Sequence, residues 1–347
     1  MDITPYLDDL EQRLDTAVED QLENDWQQFL DGKFTGHVFK PRRARQAPPT
    51  IQWPAIGIND ALNDYELMLV RELAGISGQL KNGGGAMLNI RSNYGVAILP
   101  CVFGCEPFYM SDEQNTLPMA TPVAGGEKTI ETLVAKGVPD FMDIGWTPKV
   151  FECGRFYQKA LAPYPKLKKY VRIYHPDLQG PLDAAEVVWG SEILLSFYDN
   201  PDLLTAFLNL VTETYTQFLK RWFAENPNPS DRLASHWGLA HLGNIMLRND
   251  SVMNISGDMY EEYVMPFDQR LLKEFGGGAI HFCGKGSHYV EHLARLEKFT
   301  ALNLSQPEYN DMEKIFKNSV DVGIPILSLA ARGIPQDRDL HGLVHSW

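Results

Sequence analysis

From about residue 81 onward, short apolar or β-branched runs alternate with longer runs of helical periodicity. Short apolar runs bounded by turn residues indicate buried strands, and apolar residues three and four positions apart indicate helices packed on them. Such alternation is typical of a parallel α/β sheet or barrel. The predicted strands are residues 86–91, 170–175, 232–238, 244–249, 279–283, 300–305 and 325–330.

Two of the helices between these strands are well marked. One apolar stripe at helical spacing runs from Leu203 to Trp222, and another runs from Tyr260 to Phe275 before three consecutive glycines. Pro266 lies inside the second stripe and should kink that helix. Both stripes are interpreted as surfaces that face the core.

The N-terminal part of the chain predicts helices. Thr4 and Pro5 are typical of an N-cap and a first helical residue, and the apolar spacing that follows predicts one amphipathic helix ending near Gly32. A second helical pattern covers residues 59–80. The predicted organisation is a helical extension, residues 1–80, packed on one α/β domain, residues 81–347.

The charge balance narrows the choice of partner. The chain has 31 Lys and Arg against 45 Asp and Glu, a formal charge of -14. This excess of negative charge disfavours nucleic acid and anionic membranes and favours a small-molecule substrate. The N-terminus lacks a basic start with an apolar run, and no stretch reaches the roughly 18 apolar residues of a span, so a cytoplasmic protein is expected. The four cysteines are expected to be reduced thiols.

The segment GGGAIHFCGKGSH carries the most chemistry. On a strand, side chains alternate between faces, so His281 and Cys283 point the same way. Cys283 precedes Gly284 and should lie at the C-terminal end of its strand, where the active sites of α/β barrels gather. An imidazole and a thiolate together suit Zn²⁺. The alternative is a core cysteine beside a hydrogen-bonded structural histidine.

Several ordered stretches carry a resemblance to a known family. They are HFCG at residues 281–284, ALNLSQPEYNDME after it, NYGVAILPCVFGCEP, LQGPLDAAEVVWGSEILLSFYDNPDLL and LRNDSVMNISGDMYEEYVMPFDQRLLKEFGGG. Over about residues 86–330 they resemble the uroporphyrinogen decarboxylase superfamily. The resemblance is closest to its branch of zinc-dependent methyltransferases that serve corrinoid proteins and thiols.

This resemblance implies a fold, a cofactor and a reaction. The fold would be a single (β/α)8 barrel of the TIM type with the helical extension at its N-terminus. Zinc would be held by His281 and Cys283, and a methyl group would pass between a corrinoid protein and a thiol or small methyl donor. The chain lacks a D-x-H-x-x-G cobalamin-binding motif, so the corrinoid would be supplied by a separate partner protein.

Two departures from the family pattern matter. True decarboxylases resemble one another in an arginine-bearing PVWxMRQAGR motif, and the nearest segment here, residues 53–56, carries no arginine. The methyltransferase branch completes its zinc site with a later cysteine, and no cysteine follows Cys283. His345 is the first choice for the third ligand, because a tail that folds back could close the barrel mouth. The remaining candidates are His341, His236, His241 and Asp250, and a loose surface tail is the competing interpretation of the two C-terminal histidines.

Polar residues at other strand ends complete the predicted site. Asp250, Asn303 and Gln306 are the candidate catalytic groups. The candidate substrate-binding residues are Arg91, Tyr94, Asn249, His236 and His241. Helix capping is the alternative role for Asn249 and Asp250, and a surface ion pair is the alternative for Arg91.

Three functions are compatible with these features. The first is an enzyme of zinc-dependent methyl transfer. The second is a decarboxylase-like lyase that acts without metal on a carboxylated substrate and needs clustered arginines, for which Arg91 and Arg248 are the candidates. The third is a barrel that binds a ligand or a corrinoid protein without catalysis.

Overall fold

The computed structural model of the protein describes residues 1–230 and 232–347. The α-helices are α1 Thr4–Arg13, α2 Thr16–Leu30, α3 Ile58–Ala61, α4 Tyr65–Asn82, α5 Ile98–Val102, α6 Gly126–Lys136, α7 Thr147–Leu161, α8 Pro165–Tyr170, α9 Pro181–Trp189, α10 Ile193–Asp199, α11 Pro201–Glu225, α12 Gly257–Met259, α13 Met265–Glu274, α14 Val290–Leu293 and α15 Met312–Lys317. Short 3-10 helices cover Gly95–Ala97, Phe141–Asp143, Ser251–Asn254, Pro307–Tyr309, Val320–Val322 and Ala331–Gly333. The strands are β1 Asn89–Ile90, β2 Glu106–Phe108, β3 Met119–Thr121, β4 Arg172–Ile173, β5 Leu233–His236, β6 Leu239–Leu242, β7 Ile245–Arg248, β8 Gly278–Phe282, β9 Phe299–Leu304 and β10 Ile326–Leu327.

The parallel strands confirm the predicted mixed α/β architecture. β7, β8, β9 and β10 form one parallel sheet in the order β10-β9-β8-β7, and β1 pairs in parallel with β4. Helices separate these strands along the chain, as a parallel sheet requires. Within the described residues the two parallel groups are separate ladders, so the closure of eight strands into one barrel remains a prediction.

The strand predicted at residues 232–238 has a different partner from the one the βα pattern implies. β5 turns back into β6 and pairs with it antiparallel. The turn residues Trp237 and Gly238 have φ values of 51° and 79°, which is the left-handed backbone that a tight two-residue hairpin needs. A Cβ on Gly238 would lie 2.7 Å from that of Ala86, and the Gly238 carbonyl accepts the Met87 N–H at 2.8 Å. The hairpin tip is therefore anchored to the segment before β1.

The two faces of the main sheet bury different apolar layers. Ile280 and its neighbours on the outer face join the large core formed with the helices. The inner face packs against the β5–β6 hairpin and against α2, which contributes Trp26 and Phe29. Met246, Ala279, Ala301 and Leu327 are the inner-face residues of β7 to β10 in this layer. The second N-terminal helix is thus part of the core beneath the sheet.

Side-chain caps divide the predicted N-terminal helices. The single helix expected to end near Gly32 is two helices, because the Asp15 carboxylate accepts the N–H groups of Ala17 and Val18 and starts α2 anew. The pattern at residues 59–80 likewise forms α3 and α4, with Asp64 as the cap of α4.

The two long interstrand helices follow the predicted stripes. α11 runs through the first stripe without interruption. The second is distorted at Tyr260–Val264, a turn of π-helix immediately before the helix that contains Pro266, and the predicted irregularity is confirmed. Among the described residues no helix is both long and apolar enough to cross a membrane.

Trp26 tests whether the N-terminal helices are integral to the core. Its ring is fully buried and its Nε1–H donates to the Gly85 carbonyl at 2.9 Å. We expect Trp26→Ala to lower the free energy of unfolding by about 3–5 kcal/mol in urea titration, because it leaves a large cavity. Trp26→Phe, which keeps the packing and loses the hydrogen bond, should cost about 1–3 kcal/mol. A loss below about 1 kcal/mol for the alanine variant would mean that the extension is only loosely attached.

Candidate metal centre

The site is built by the register of three parallel strands. Arg248, His281 and Asn303 are paired partners on β7, β8 and β9, and they face the same side of the sheet. Two residues further along each chain, Asp250, Cys283 and Ser305 extend the same face beyond the strand ends. The C-terminal edge of the sheet therefore carries two rows of polar groups.

A hydrogen bond sets the tautomer of His281. Asn303 donates its amide Nδ2–H to the Leu327 carbonyl at 2.6 Å, so its Oδ1 is the atom that faces His281 Nδ1, also at 2.6 Å. Nδ1 of the neutral imidazole then carries the proton, and Nε2 has a free lone pair. Burial lowers the pKa of His281 below its usual value, which keeps the ring neutral.

Cys283, His281 and Asp250 converge on one point. Cys283 Sγ lies 3.3 Å from His281 Nε2, which confirms that the two side chains share a face. Asp250 Oδ1 lies 3.6 Å from the same nitrogen, and the three ligand atoms are all within 4.8 Å of one another. The resulting donor set is one nitrogen, one sulfur and one carboxylate oxygen.

The two distances from His281 Nε2, 3.3 Å to Cys283 Sγ and 3.6 Å to Asp250 Oδ1, are compatible with a zinc ion. Ligands on a tetrahedral Zn²⁺ at about 2.0–2.3 Å lie about 3.3–3.6 Å from each other. Burial raises the pKa of the Cys283 thiol, the Ser305 hydroxyl opposes this, and the charge of Asp250 adds to the rise. A cation between the three groups would remove that penalty, because it favours the thiolate.

Residues outside the predicted set hold this group in place. The buried Asp183 carboxylate, in the first turn of α9, accepts the backbone N–H groups of Asp250 and Ser251 at 2.9 and 2.8 Å. Asn310 Oδ1 accepts the N–H groups of Gly286 and Ser287. Asp183 follows Gly180–Pro181, a helix-start signal that could have indicated the carboxylate.

Gln306, like Asp183 and Asn310, accepts a backbone N–H group of a loop at the site. Its Oε1 accepts the Gly284 N–H at 2.7 Å, so it orders the loop directly after Cys283. Asn303 similarly acts through the imidazole that it orients. Both residues lie beside His281 and Cys283, and their contacts are those of positioning groups, so their predicted catalytic role stays a prediction.

A cavity of about 480 Å³ opens beside His281. It is lined by Trp237, Leu239, His281, Asn303, Leu304, Ser305, Ser328 and Trp347. The polar lining lies on the sheet edge, and two indoles form part of the wall. The imidazole that contacts the Cys283 thiol therefore borders an opening large enough for a small molecule.

His345 is not brought to the metal group. The tail runs alongside β10 and Phe39 through isolated parallel bridges, which turns the imidazole into the inner core. His345 Nδ1 accepts the Ser328 N–H at 2.9 Å, its ring packs 4.6 Å from Trp26, and burial lowers its pKa to about 3. The tail does reach the cavity, but with Trp347. His345, the first choice for a third ligand, therefore lies outside this group, and Asp250, another of the candidates, lies in it.

The hairpin histidines form their own pair. His241 Nδ1–H donates to the Leu242 carbonyl, so its Nε2 accepts the Nδ1–H of His236 at 2.6 Å. Both rings are fully buried, and burial lowers the pKa of His241 to about 4. Their predicted role in substrate binding is not supported by this geometry, because antiparallel pairing turns them into the sheet interior.

Asn249 and Tyr94 also face the core. Asn249 alternates with Arg248 and Asp250 along the chain, so it points to the helix side, where its amide donates to Asp268 at 2.7 Å. Tyr94 is 1% exposed and its ring lies 5.6 Å from that of Trp146. Neither is part of the Asp250–His281–Cys283 group, and these core contacts do not support their predicted roles in substrate binding.

Arg91 belongs to a buried charge cluster that joins the two parallel sheets. Asp177 accepts Arg91 Nη1 at 3.0 Å on one oxygen and pairs with Arg248 Nη1 at 3.1 Å on the other. The Trp237 indole lies over the Arg248 guanidinium at 4.3 Å. Burial alone would raise the pKa of Asp177, but the charges of Arg248 and Arg91 outweigh it and hold this pKa at about 2.

Arg91 also lines a second cavity, of about 580 Å³. Its other lining residues include Arg71, Glu72, Asn93 and Trp237, so it is polar and carries two guanidinium groups. Trp237 is common to the linings of both cavities. The residues Asp177 and Trp237 were not among the predicted site residues; Asp177 follows β4 at a strand end, a position that could have indicated it.

Comparison with known proteins identifies the fold. No known family profile matches the chain, and no curated protein matches it. A solved structure described as a methyltransferase from Methanosarcina mazei superimposes with a TM-score of 0.62 at 17% sequence identity, over 88% of this chain and 82% of that chain. At this identity the likeness shows a shared fold.

Asp177 gives a pH-dependent prediction. A carboxylate whose pKa is depressed in the folded protein contributes stability above its usual pKa of 3.8, and this contribution is lost as the pH falls through about 2. We expect Asp177→Asn to cost about 3–5 kcal/mol near neutral pH, because two buried guanidinium groups lose their counter-charge.

As the pH falls from about 4 to about 2, the free energy of unfolding of Asp177→Asn should decrease less than that of wild type in urea titrations. The exposed Asp199, changed to Asn, is the control and should follow the wild-type pH profile. Parallel pH profiles for Asp177→Asn and wild type would contradict this account of the cluster.

Proposed function

We propose that the protein is a zinc-dependent methyltransferase of the uroporphyrinogen decarboxylase superfamily that acts with a corrinoid protein. The observation that carries the proposal is the convergence of Asp250, His281 and Cys283 beside an open cavity. The fold shared with a methyltransferase supports it, as does the family resemblance around HFCG. The corrinoid partner rests on that resemblance alone.

His281, Cys283 and Asp250 would hold the zinc. The bound ion would supply the charge that lowers the pKa of a substrate thiol at its open position and keeps the sulfur anionic at neutral pH. Asn303 keeps His281 Nε2 unprotonated for this purpose, and Asp183 keeps the Asp250 loop against Cys283. Such supporting contacts orient ligands and tune the affinity of the site.

The proposed reaction balances as a simple displacement. The thiolate sulfur would form a bond to the methyl group that the partner protein's corrinoid carries as substrate, and the bonding electron pair would stay with the corrinoid. The thiol proton would leave to solvent before the displacement. Trp237 and Trp347 flank the cavity and would shield the thiolate from bulk water.

One observation favours a second candidate, a carboxy-lyase. That hypothesis needs clustered arginines, and Arg91 and Arg248 meet on Asp177. Turnover of a uroporphyrinogen substrate by metal-free protein would support it over methyl transfer. The third candidate, a barrel that binds a ligand or a corrinoid protein without catalysis, would be favoured by a mouth plugged with side chains, and the cavity beside His281 is open.

Zinc content tests the proposed centre. Protein purified without chelator should contain one zinc per chain by atomic emission, and Cys283→Ala and Asp250→Ala should lose it because each removes a ligand. Asn303→Ala should weaken zinc binding by about 10–100-fold, whereas Asn303→Asp, which keeps the acceptor for Nδ1–H, should retain more of it.

His341→Ala is the matched control for zinc content. This histidine was a candidate third ligand and its side chain is half exposed, so its removal should leave the zinc content unchanged. Full zinc occupancy in Cys283→Ala, or no zinc in wild type, would end the proposal.

Demethylation of methylcobalamin tests the activity. Zinc-loaded protein mixed with methylcobalamin and a small thiol should accelerate loss of the cobalt–methyl absorbance and form the methyl thioether. Metal removal or Cys283→Ala should abolish the acceleration, because without zinc the sulfur of the substrate thiol is no longer held as a thiolate. Equal rates with wild type, Cys283→Ala and no protein would contradict methyl transfer with free corrinoid and a thiol.

A further inference from the structure

Trp237 stands between the two cavities of the sheet edge. It lines the cavity of about 480 Å³ that contains His281 and the cavity of about 580 Å³ that contains Arg91. Its indole meets the His281 ring edge to face, with centroids 5.1 Å apart and an interplanar angle of 78°. The indole therefore forms the wall of the candidate metal cavity on the side that faces the arginines.

The position of this wall is determined by the hairpin and by Arg248. The backbone of Trp237 is left-handed, and the Gly238 carbonyl beside it is bonded to Met87, so the tip of the hairpin has little freedom. The guanidinium of Arg248 lies 4.3 Å from the indole centroid, an attractive cation–π contact. Arg248 Nε and Nη2 are buried and lack a hydrogen-bond partner among the described residues. The indole thus covers a cation with unused donors.

The second cavity is suited to an acidic group. Arg71 and Arg91 line it, Glu72 is its acidic residue, and burial raises the pKa of Glu72 towards the neutral form. Asn115 accepts the Ile58 N–H through Oδ1 and adds an amide donor to the lining, whereas the amides of Asn89 and Asn93 already donate to Ser235 and Glu72. A carboxylate in this space would meet positive charge and hydrogen-bond donors.

We propose that Trp237 is a specificity-determining residue. Its indole ends the cavity beside His281 and restricts that cavity to short substrates. Removal of the indole admits longer molecules whose acidic end reaches the cavity lined by Arg91. This inference rests on the proposed function in one respect only: it takes the cavity beside His281 as the place where the substrate reacts. The partition itself requires no bound metal.

Thiols of two lengths provide the test. Isothermal titration of zinc-loaded protein would compare mercaptopropionate with mercaptooctanoate in wild type, Trp237→Ala and Trp237→Phe. All three residues carry a Cβ, so the left-handed backbone costs each about the same. In Trp237→Ala the ratio of affinities, long over short, should rise by about tenfold or more, because the additional methylenes become buried. Trp237→Phe keeps a flat wall and should retain a ratio close to that of wild type.

A second probe pair separates this inference from the proposed function. In metal-free protein, the ratio of the octanoate affinity to the propionate affinity should rise in Trp237→Ala by a similar factor. The affinity for octanol should increase less than the affinity for octanoate, because octanol lacks the charge that Arg91 would meet. If wild type binds no zinc while the octanoate ratio rises, the methyltransferase proposal fails and the partition stands. If zinc binds and both ratios are unchanged in Trp237→Ala, the partition is overturned.

Two further outcomes complete the test. Should the alanine variant fail to fold, as judged by circular dichroism, Trp237→Leu replaces it in the same comparison with the same expected direction. An octanol gain equal to that of octanoate would overturn the assignment of the second cavity to acidic groups.

Discussion

The parallel ladder of β7, β8 and β9 positions every group of the candidate centre. Its register places Arg248, His281 and Asn303 on one level, and the next level carries Asp250, Cys283 and Ser305. A shift of one residue would exchange the faces and send Ile280 and Phe282 to the polar side. Those two residues are fully buried in the layer beneath the helices, so the shift would forfeit a large apolar burial. The apolar packing of one face of the sheet thereby fixes the register that places the polar groups on the other face.

Buried charge ties this edge to the rest of the fold. Asp177 joins Arg91, after β1, to Arg248, at the end of β7, and so connects two ladders that share no backbone hydrogen bonds among the described residues. Separation of such pairs in a low-dielectric interior is costly, which makes the arrangement of both cavities stiff. Trp237 packs on the same cluster through Arg248. The Trp237 indole therefore contacts the charge cluster and also lines both cavities.

Local patterns predicted most of the secondary structure. The strands around β7 to β10 and the helix α11 follow from apolar spacing, because burial on a regular element leaves that signature. The β5–β6 hairpin was missed since a buried strand has the same composition whether its neighbour is parallel or antiparallel, and Trp-Gly is a weak turn signal beside Asn-Gly. The division of the first helix at Asp15 was missed because the apolar stripe continues across the break.

The sequence by itself determined the relation between His281 and Cys283, because two residues on one strand share a face whatever surrounds them. It also determined that polar residues such as Asn303 and Asp250 lie at the ends of predicted strands. Only the tertiary structure decided which distant residue joins this group, since the sequence favoured His345 and left Asp250 as one of several alternatives. Strand register brings Asp250 to 3.6 Å from His281, while the tail's bridges to β10 bury His345 against Trp26. Contacts between residues far apart in sequence depend on packing that no local pattern encodes.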